Sequence, residues 1–195
     1  MPLAKIRTGN VMCRWAVMMV VFAMPPAVAA RAAAQAESVP SGRQEVYEEK
    51  HRDGSLKLQC EMLVTDAGQR LRHGVETGFF PDGQKSSERH FHLDQLHAPW
   101  KAYNPNGELR GEGTYSEGQK DGVESRYSRN GTKLAEITYQ RGIKHGVARE
   151  WYADGTPQSE ITYEMGQKHG TERQWFRSGQ LRLESEYALG RRNGV

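Results

Sequence analysis

Cysteine is nearly missing from this chain, with Cys13 and Cys60 the two examples in 195 residues. Cys13 stands ahead of an apolar run that is expected to be removed, which leaves Cys60 without an intramolecular partner. A disulfide framework is therefore excluded as a source of stability. Cys60 lies in "LKLQCEM", alternating with Leu56, Leu58 and Met62, and reads as a small buried apolar residue rather than a reactive thiol.

Long apolar runs are scarce as well. The stretch "WAVMMVVFAM", residues 15 to 24, is too short to cross a hydrocarbon core of about 30 Å as a helix. Lys5, Arg7 and Arg14 precede it, and the small-residue segment "PPAVAARAAAQA" follows. Residues 1–30 thus read as a secretory signal peptide cleaved between 30 and 36, with an uncleaved anchor as the alternative. Residues 31–44 carry the polar "AESVPSGRQ" stretch and read as a linker. The expected location is the periplasm or the outside of the cell.

A surplus of one charge sign disappears with that leader. The whole chain has 27 Lys and Arg against 24 Asp and Glu; cleavage after Ala30 takes three basic residues and leaves 24 against 24. A nucleic-acid partner then lacks its main electrostatic support. Nucleophile elbows, phosphate loops and paired CxxC motifs are absent too, so neither catalytic residues nor a cofactor are expected, and the chain reads as a non-enzyme.

What the sequence has in abundance is itself. Units of 24 residues begin at His73, His97, Asp121, His145 and His169, and a sixth opens at Asn193. The seventh residue is aromatic in all five: Phe79, Tyr103, Tyr127, Trp151 and Trp175. So is the nineteenth: Phe91, Tyr115, Tyr139, Tyr163 and Tyr187. The eleventh is glycine, from Gly83 to Gly179, and the sixteenth is glutamate, from Glu88 to Glu184. The twenty-second is glycine except for Asp94. Strand-forming runs around Asp-Gly or Asn-Gly make each unit a β-hairpin. A lone hairpin is marginal in water, so neighbours must stack. The expected fold is all-β: an elongated antiparallel sheet of stacked hairpins over residues 73–195, with residues 45–72 as a degenerate capping repeat.

Two cues on the hairpin turn disagree. A two-residue Asp-Gly turn sets Glu112 opposite Lys101, Glu160 opposite Arg149 and Glu184 opposite Arg173, which is favourable, but separates the aromatic columns onto opposite faces. A three-residue turn with a left-handed glycine collects the columns on one face but sets Glu184 against Glu172. The charge pairs favour the first.

The segment "EGTYSEGQKDG", residues 112 to 122, resembles the MORN repeat, and units such as "SEITYEMGQKHG" resemble the MORN-variant repeat. The resemblance covers residues 73 to 195 well and 45 to 72 poorly. It departs from the simple motif where the glycine of "EGTY" becomes Ile137 or Ile161. The variant resemblance implies an antitoxin-like bacterial family, a sheet that binds proteins or lipids, and no catalytic residue.

Candidate site residues are few. His73, His97, His145 and His169 open four units, but equivalent positions in successive hairpins are roughly 9–10 Å apart, too far to share a metal directly. They read as turn residues bonding backbone carbonyls. In "HFHLD", His90, His92 and Asp94 alternate and are candidate metal ligands. Trp100 replaces the glutamate of Glu76, Glu124 and Glu172, a place expected to be exposed. With Arg149, Tyr152, Arg173 and Phe176 it forms the candidate partner-binding set, because aromatic and arginine side chains anchor interfaces. The function expected is a protein binder, an antitoxin-like or immunity protein against an envelope-acting toxic effector. The alternative is an envelope scaffold or a module binding a membrane or lipid surface; the oligomeric state stays open.

Overall fold

A computed structural model describes residues 39–193; the expected signal peptide and its cleavage sites lie outside them. Every regular element among the described residues is a strand. The chain runs through β1 (Gly42–Lys50), β2 (Leu56–Thr65), β3 (Arg70–Phe79), β4 (Lys85–His92), β5 (Gln95–Leu96), β6 (Ala98–Tyr103), β7 (Leu109–Ser116) and β8 (Gln119–Lys120). It continues through β9 (Gly122–Tyr127), β10 (Lys133–Gln140), β11 (Ile143–Trp151), β12 (Pro157–Glu164), β13 (Gln167–Trp175), β14 (Leu181–Ala188) and β15 (Arg191–Asn193). All belong to one antiparallel sheet in which neighbours in sequence are neighbours in space. The short β5 and β8 are the first halves of β6 and β9, cut off by an interruption that β11 and β13 carry without breaking. The strand β1 starts at Gly42, inside the stretch expected as linker, and pairs along its length with β2. The segment expected as a cap therefore continues the sheet.

Each unit uses two different turns. Around Gly155, Tyr152 and Thr156 close the loop, with Gly155 N–H donating to Tyr152 O at 2.9 Å and Tyr152 N–H donating to Thr156 O at 2.9 Å. That is a three-residue loop ending in glycine at φ 86°, where any other residue would be strained. The Asp before the glycine accepts the N–H of the residue after it, as Asp154 Oδ1 does from Thr156 at 3.0 Å. The second turn is the two-residue type with both residues left-handed, as in Met165 (φ 49°) and Gly166 (φ 79°). Its glycine N–H reaches back to the preceding unit: Gly166 donates to Lys144 O at 2.9 Å and Gly190 to Lys168 O at 2.9 Å. These bonds fasten one repeat to the next.

The register expected from the charge pairs is the one observed, although the turn expected to produce it is not. Beyond the three-residue loop the ladder shifts by one residue between Glu150 and Trp151, and past that bulge Arg149 faces Glu160. The same shift sets Arg173 opposite Glu184 and Lys101 opposite Glu112. A second bulge opens every unit. The His-Gly pairs expected in turns lie within strands, where residues 145–147 span the interval opposite Thr138. Gly146 there has φ 80°.

Pairing sorts the side chains onto two faces. The tyrosine face carries the nineteenth residues, together with the fourth, sixth, fifteenth and seventeenth; Glu172, for instance, pairs with Ile161 and Ser185. The other face carries the fifth, seventh and sixteenth. The aromatic columns are thus on opposite faces. Most of the buried interior lies on the tyrosine face, with Cys60, Phe91, Ala102, Ala135, Ile137 and Ala148 among its buried apolar residues. Small side chains let the tyrosines and lysines lie over the sheet. Lys120, Lys144 and Lys168 each sit 5.0 Å from the ring centre of the next unit's tyrosine: Tyr139, Tyr163 and Tyr187.

Candidate interaction surfaces

Arg149 and Arg173 belong to a continuous row of charge on the second face. Glu136, Arg149, Glu160, Arg173 and Glu184 are direct neighbours across five successive strands. Arg149 Nε meets Glu160 Oε2 at 2.8 Å, and Arg173 Nε meets Glu184 Oε2 at 2.8 Å. The hydrogen bond and charge of Glu184 raise the Arg173 pKa above its ordinary value. Alternating signs give each arginine carboxylates on both sides. Both guanidinium groups are already engaged within the sheet.

Trp100 lies on the tyrosine face, away from those arginines. The fourth position is not an exposed acidic place, as the sequence suggested, but one of the most buried columns. Glu76, Glu124 and Glu172 are 4%, 6% and 2% exposed. Charge pairing makes that burial tolerable: Lys120 and Arg126 hold Glu124, and Lys168 Nζ meets Glu172 Oε2 at 2.7 Å. Burial pushes the Glu124 and Glu172 carboxyls up, but hydrogen bonds from Lys120 and Arg126, and from Lys168 and Gln174, outweigh it and hold both below their ordinary value. Trp100 is half-buried and lies over Gly111 and Gly113. A methyl carbon on Gly113 would stand 2.8 Å from Trp100 Nε1, and one on Gly111 would stand 3.2 Å from its Cη2. This explains why "GEG" occurs in that unit while others have Ile137 or Ile161: the glycines make room for the indole.

Tyr152 and Phe176 close the three-residue loops of adjacent units. The Tyr152 hydroxyl donates to Trp175 O at 2.9 Å, and the Arg177 guanidinium lies over the Tyr152 ring. Tyr152 thereby ties two hairpins together. Phe176 is 50% exposed, and Leu181 near it is 52% exposed. The five candidate contact residues are therefore spread over one face, the other face and one edge, and they do not converge.

A different group lines one edge of the sheet, and the sequence reading missed it. Ile143, Met165 and Leu189 are 51%, 77% and 61% exposed; Met165 and Leu189 belong to the two-residue turns of successive units, and Ile143 opens β11 directly after the turn before them. Met165 and Leu189 also hold φ of 49° and 47°, a region disfavoured for large side chains. A methyl carbon on Gly166 would come within 3.1 Å of Ile143 Cγ2, so neighbouring turns touch. The sequence cue was there: an apolar residue directly before the turn glycine at Met165 and Leu189, where Glu117 and Arg141 stand in other units, and one directly after it at Ile143.

The "HFHLD" ligands do not gather. Asp94 sits in the turn after β4 and accepts from the Arg72 backbone N–H at 2.9 Å and Arg72 Nε at 3.1 Å. His90 Nε2 is 3.8 Å from Glu88 Oε1. The alternation that aligned the three ends at the left-handed turn of Leu93 and Asp94. Cys60 is buried below a cleft of about 480 Å³ shared with Tyr47, Leu58 and Met62. Burial, with the Glu76 charge, pushes its thiol up to about 11, which keeps it protonated and unreactive near neutrality.

Comparison with known proteins places the repeats. The family described as the MORN repeat variant matches residues 72–92, 96–117, 120–141, 144–165 and 168–188. No curated protein matches the chain.

Proposed function

The chain belongs to the MORN repeat variant family, and from that premise we propose that it acts by binding a protein partner rather than by catalysis. The observation that carries this reading is the turn edge formed by Ile143, Met165 and Leu189. Large apolar side chains there bear two costs at once, exposure to water and, for Met165 and Leu189, a left-handed backbone. A partner that covers them offsets the first. Met is suited to such a surface because its flexible thioether adapts to a partner's shape. Phe176 and Leu181 on the opposite edge, with Trp100, Arg149, Tyr152 and Arg173, are secondary contacts in this reading.

The role is that of an exported antitoxin-like or immunity protein that occludes a toxic effector acting in the cell envelope. Its supports are the resemblance of the repeats and the leader-like residues 1–30. The experiment is photo-cross-linking from position 165 in cells, followed by fractionation and identification of the adduct. The expected result is one predominant adduct with an envelope protein, lost when Ile143→Lys and Leu189→Lys are introduced together. Cross-linking that is unspecific, or unchanged by those substitutions, overturns the reading. N-terminal sequencing of the same material tests export: a start between residues 30 and 37 is expected, and an intact Met1 in the cytoplasm removes the envelope role.

A further inference from the structure

Histidine collects in the least regular part of the sheet. His73 opens the first full unit near the start of β3, His92 ends β4, and His97 follows β5. His73 and His97 are equivalent residues of successive hairpins, expected to be too far apart to share a metal directly. His92 comes from the strand between them and bridges the gap. Its ring centre is 5.0 Å from that of His73 and 6.1 Å from that of His97.

Those spacings have a chemical meaning. A metal about 2.0 Å from a ring nitrogen lies about 3.2 Å from the ring centre, so two imidazoles on one tetrahedral metal have centres about 5.2 Å apart. His73 and His92 stand close to that separation. The second spacing is wider, and His97 is exposed, so rotation of its side chain can close the difference. Among the described residues no three His, Cys, Asp or Glu side chains already converge on one point, which makes that rotation a requirement.

The surroundings leave a ring nitrogen free to act as a ligand. His73 Nδ1 is buried without a hydrogen-bond partner among the described residues. Glu61 and Asp94 are otherwise engaged: Glu61 Oε2 accepts from Val75 N–H at 2.8 Å, and Asp94 is held by Arg72. Nitrogen donors without a carboxylate select borderline metals such as Zn²⁺ or Ni²⁺ over Mg²⁺ or Ca²⁺.

We propose that His73, His92 and His97 form a three-histidine site for a divalent transition metal on the face opposite the tyrosines. It joins β3, β4 and β5, and metal binding fastens the first two full repeats together. The site is independent of the turn edge assigned to a protein partner.

The test is a titration of tag-free full chain with Co²⁺ and with Zn²⁺ at pH 7.5, the latter in competition with a chromogenic chelator. One equivalent of metal per chain is expected, with the visible absorption of tetrahedral Co²⁺ displaced by Zn²⁺. Affinity should fall at least 100-fold in His92→Gln and at least 10-fold in His73→Gln and His97→Gln, with His169→Gln unchanged. Circular dichroism identifies any variant that fails to fold, and the wild-type Co²⁺ spectrum decides without variants. Absence of saturable binding, an octahedral spectrum, or unchanged affinity in a folded His92→Gln protein overturns the site.

Discussion

Trp100 shows how a single residue changes meaning between sequence and structure. Set beside Glu76, Glu124 and Glu172 it looks like an apolar ring in an acidic, open place. In the sheet, that place is buried and the ring lies on two glycines. Trp100→Ala is therefore expected to destabilise the fold by roughly 2–3 kcal/mol, less than the 3–5 of a fully buried ring, and so to lower the melting midpoint. An unchanged midpoint in thermal melts would return it to the list of pure contact residues. Gly155→Val separates backbone strain from crowding, because a Cβ there meets only Thr132 Cγ2, at 3.8 Å. The left-handed φ alone should cost about 1–3 kcal/mol in the same assay. Cys60 should react with a thiol reagent only when the protein unfolds, since its thiol sits at about 11; rapid labelling in native buffer would contradict its burial.

Single strands gain their meaning from the row they share. The alternation Glu136, Arg149, Glu160, Arg173, Glu184 gives each internal charge two opposite neighbours. A double-mutant cycle on Arg149 and Glu160 should give a coupling of about 0.2–1 kcal/mol, the range for partly exposed pairs. Arg149→Glu should lower the midpoint by more than Arg149→Ala, because it sets three carboxylates in line. Equal effects would show that the row is decorative. On the tyrosine face the carboxylates matter more, because Glu124 and Glu172 are buried. Their folded pKa values lie below the ordinary 4.5. The stability they contribute is complete above the unfolded pKa and is lost as pH falls through the lower folded value. Melts should thus show a midpoint that is flat with respect to these groups above about pH 5 and falls below pH 4.5, with the dependence reduced in a Glu124→Gln, Glu172→Gln protein.

Across the whole sheet, stability is expected to add along one dimension. Each strand pairs with its sequence neighbours, and the bonds from each turn glycine reach only the preceding unit. Deleting residues 145–168 removes one complete unit and leaves Lys144 followed by another His-Gly pair. The shortened chain should fold with the same circular dichroism and a lower melting midpoint, as repeat proteins do. Deleting residues 145–156 removes a strand and a loop without its return strand. That chain should fail to reach the native spectrum, because every later residue would then present the wrong face. Folding of both to equal stability would refute the unit boundaries.

The 24-residue period, the hairpins, the all-β class and the Lys-Glu and Arg-Glu pairs followed from the sequence alone. They depend on local chemistry and on a repeat distance that no folding event alters. The turn types did not follow: Asp-Gly suits a two-residue turn, yet here it closes a three-residue loop, and a downstream bulge restores the register. A bulge is decided by how two whole strands settle against each other, so no single residue announces it. Burial of the fourth position was equally hidden, because a glutamate among hydrophilic neighbours looks exposed until Lys120 or Lys168 is folded over it. The same holds for the edge of Ile143, Met165 and Leu189. Those residues lie 22 and 24 positions apart in the chain and become neighbours only when successive turns stack. Local order was written in the repeat, while proximity between repeats was decided by the tertiary sheet, which alone sets distances between residues far apart in sequence.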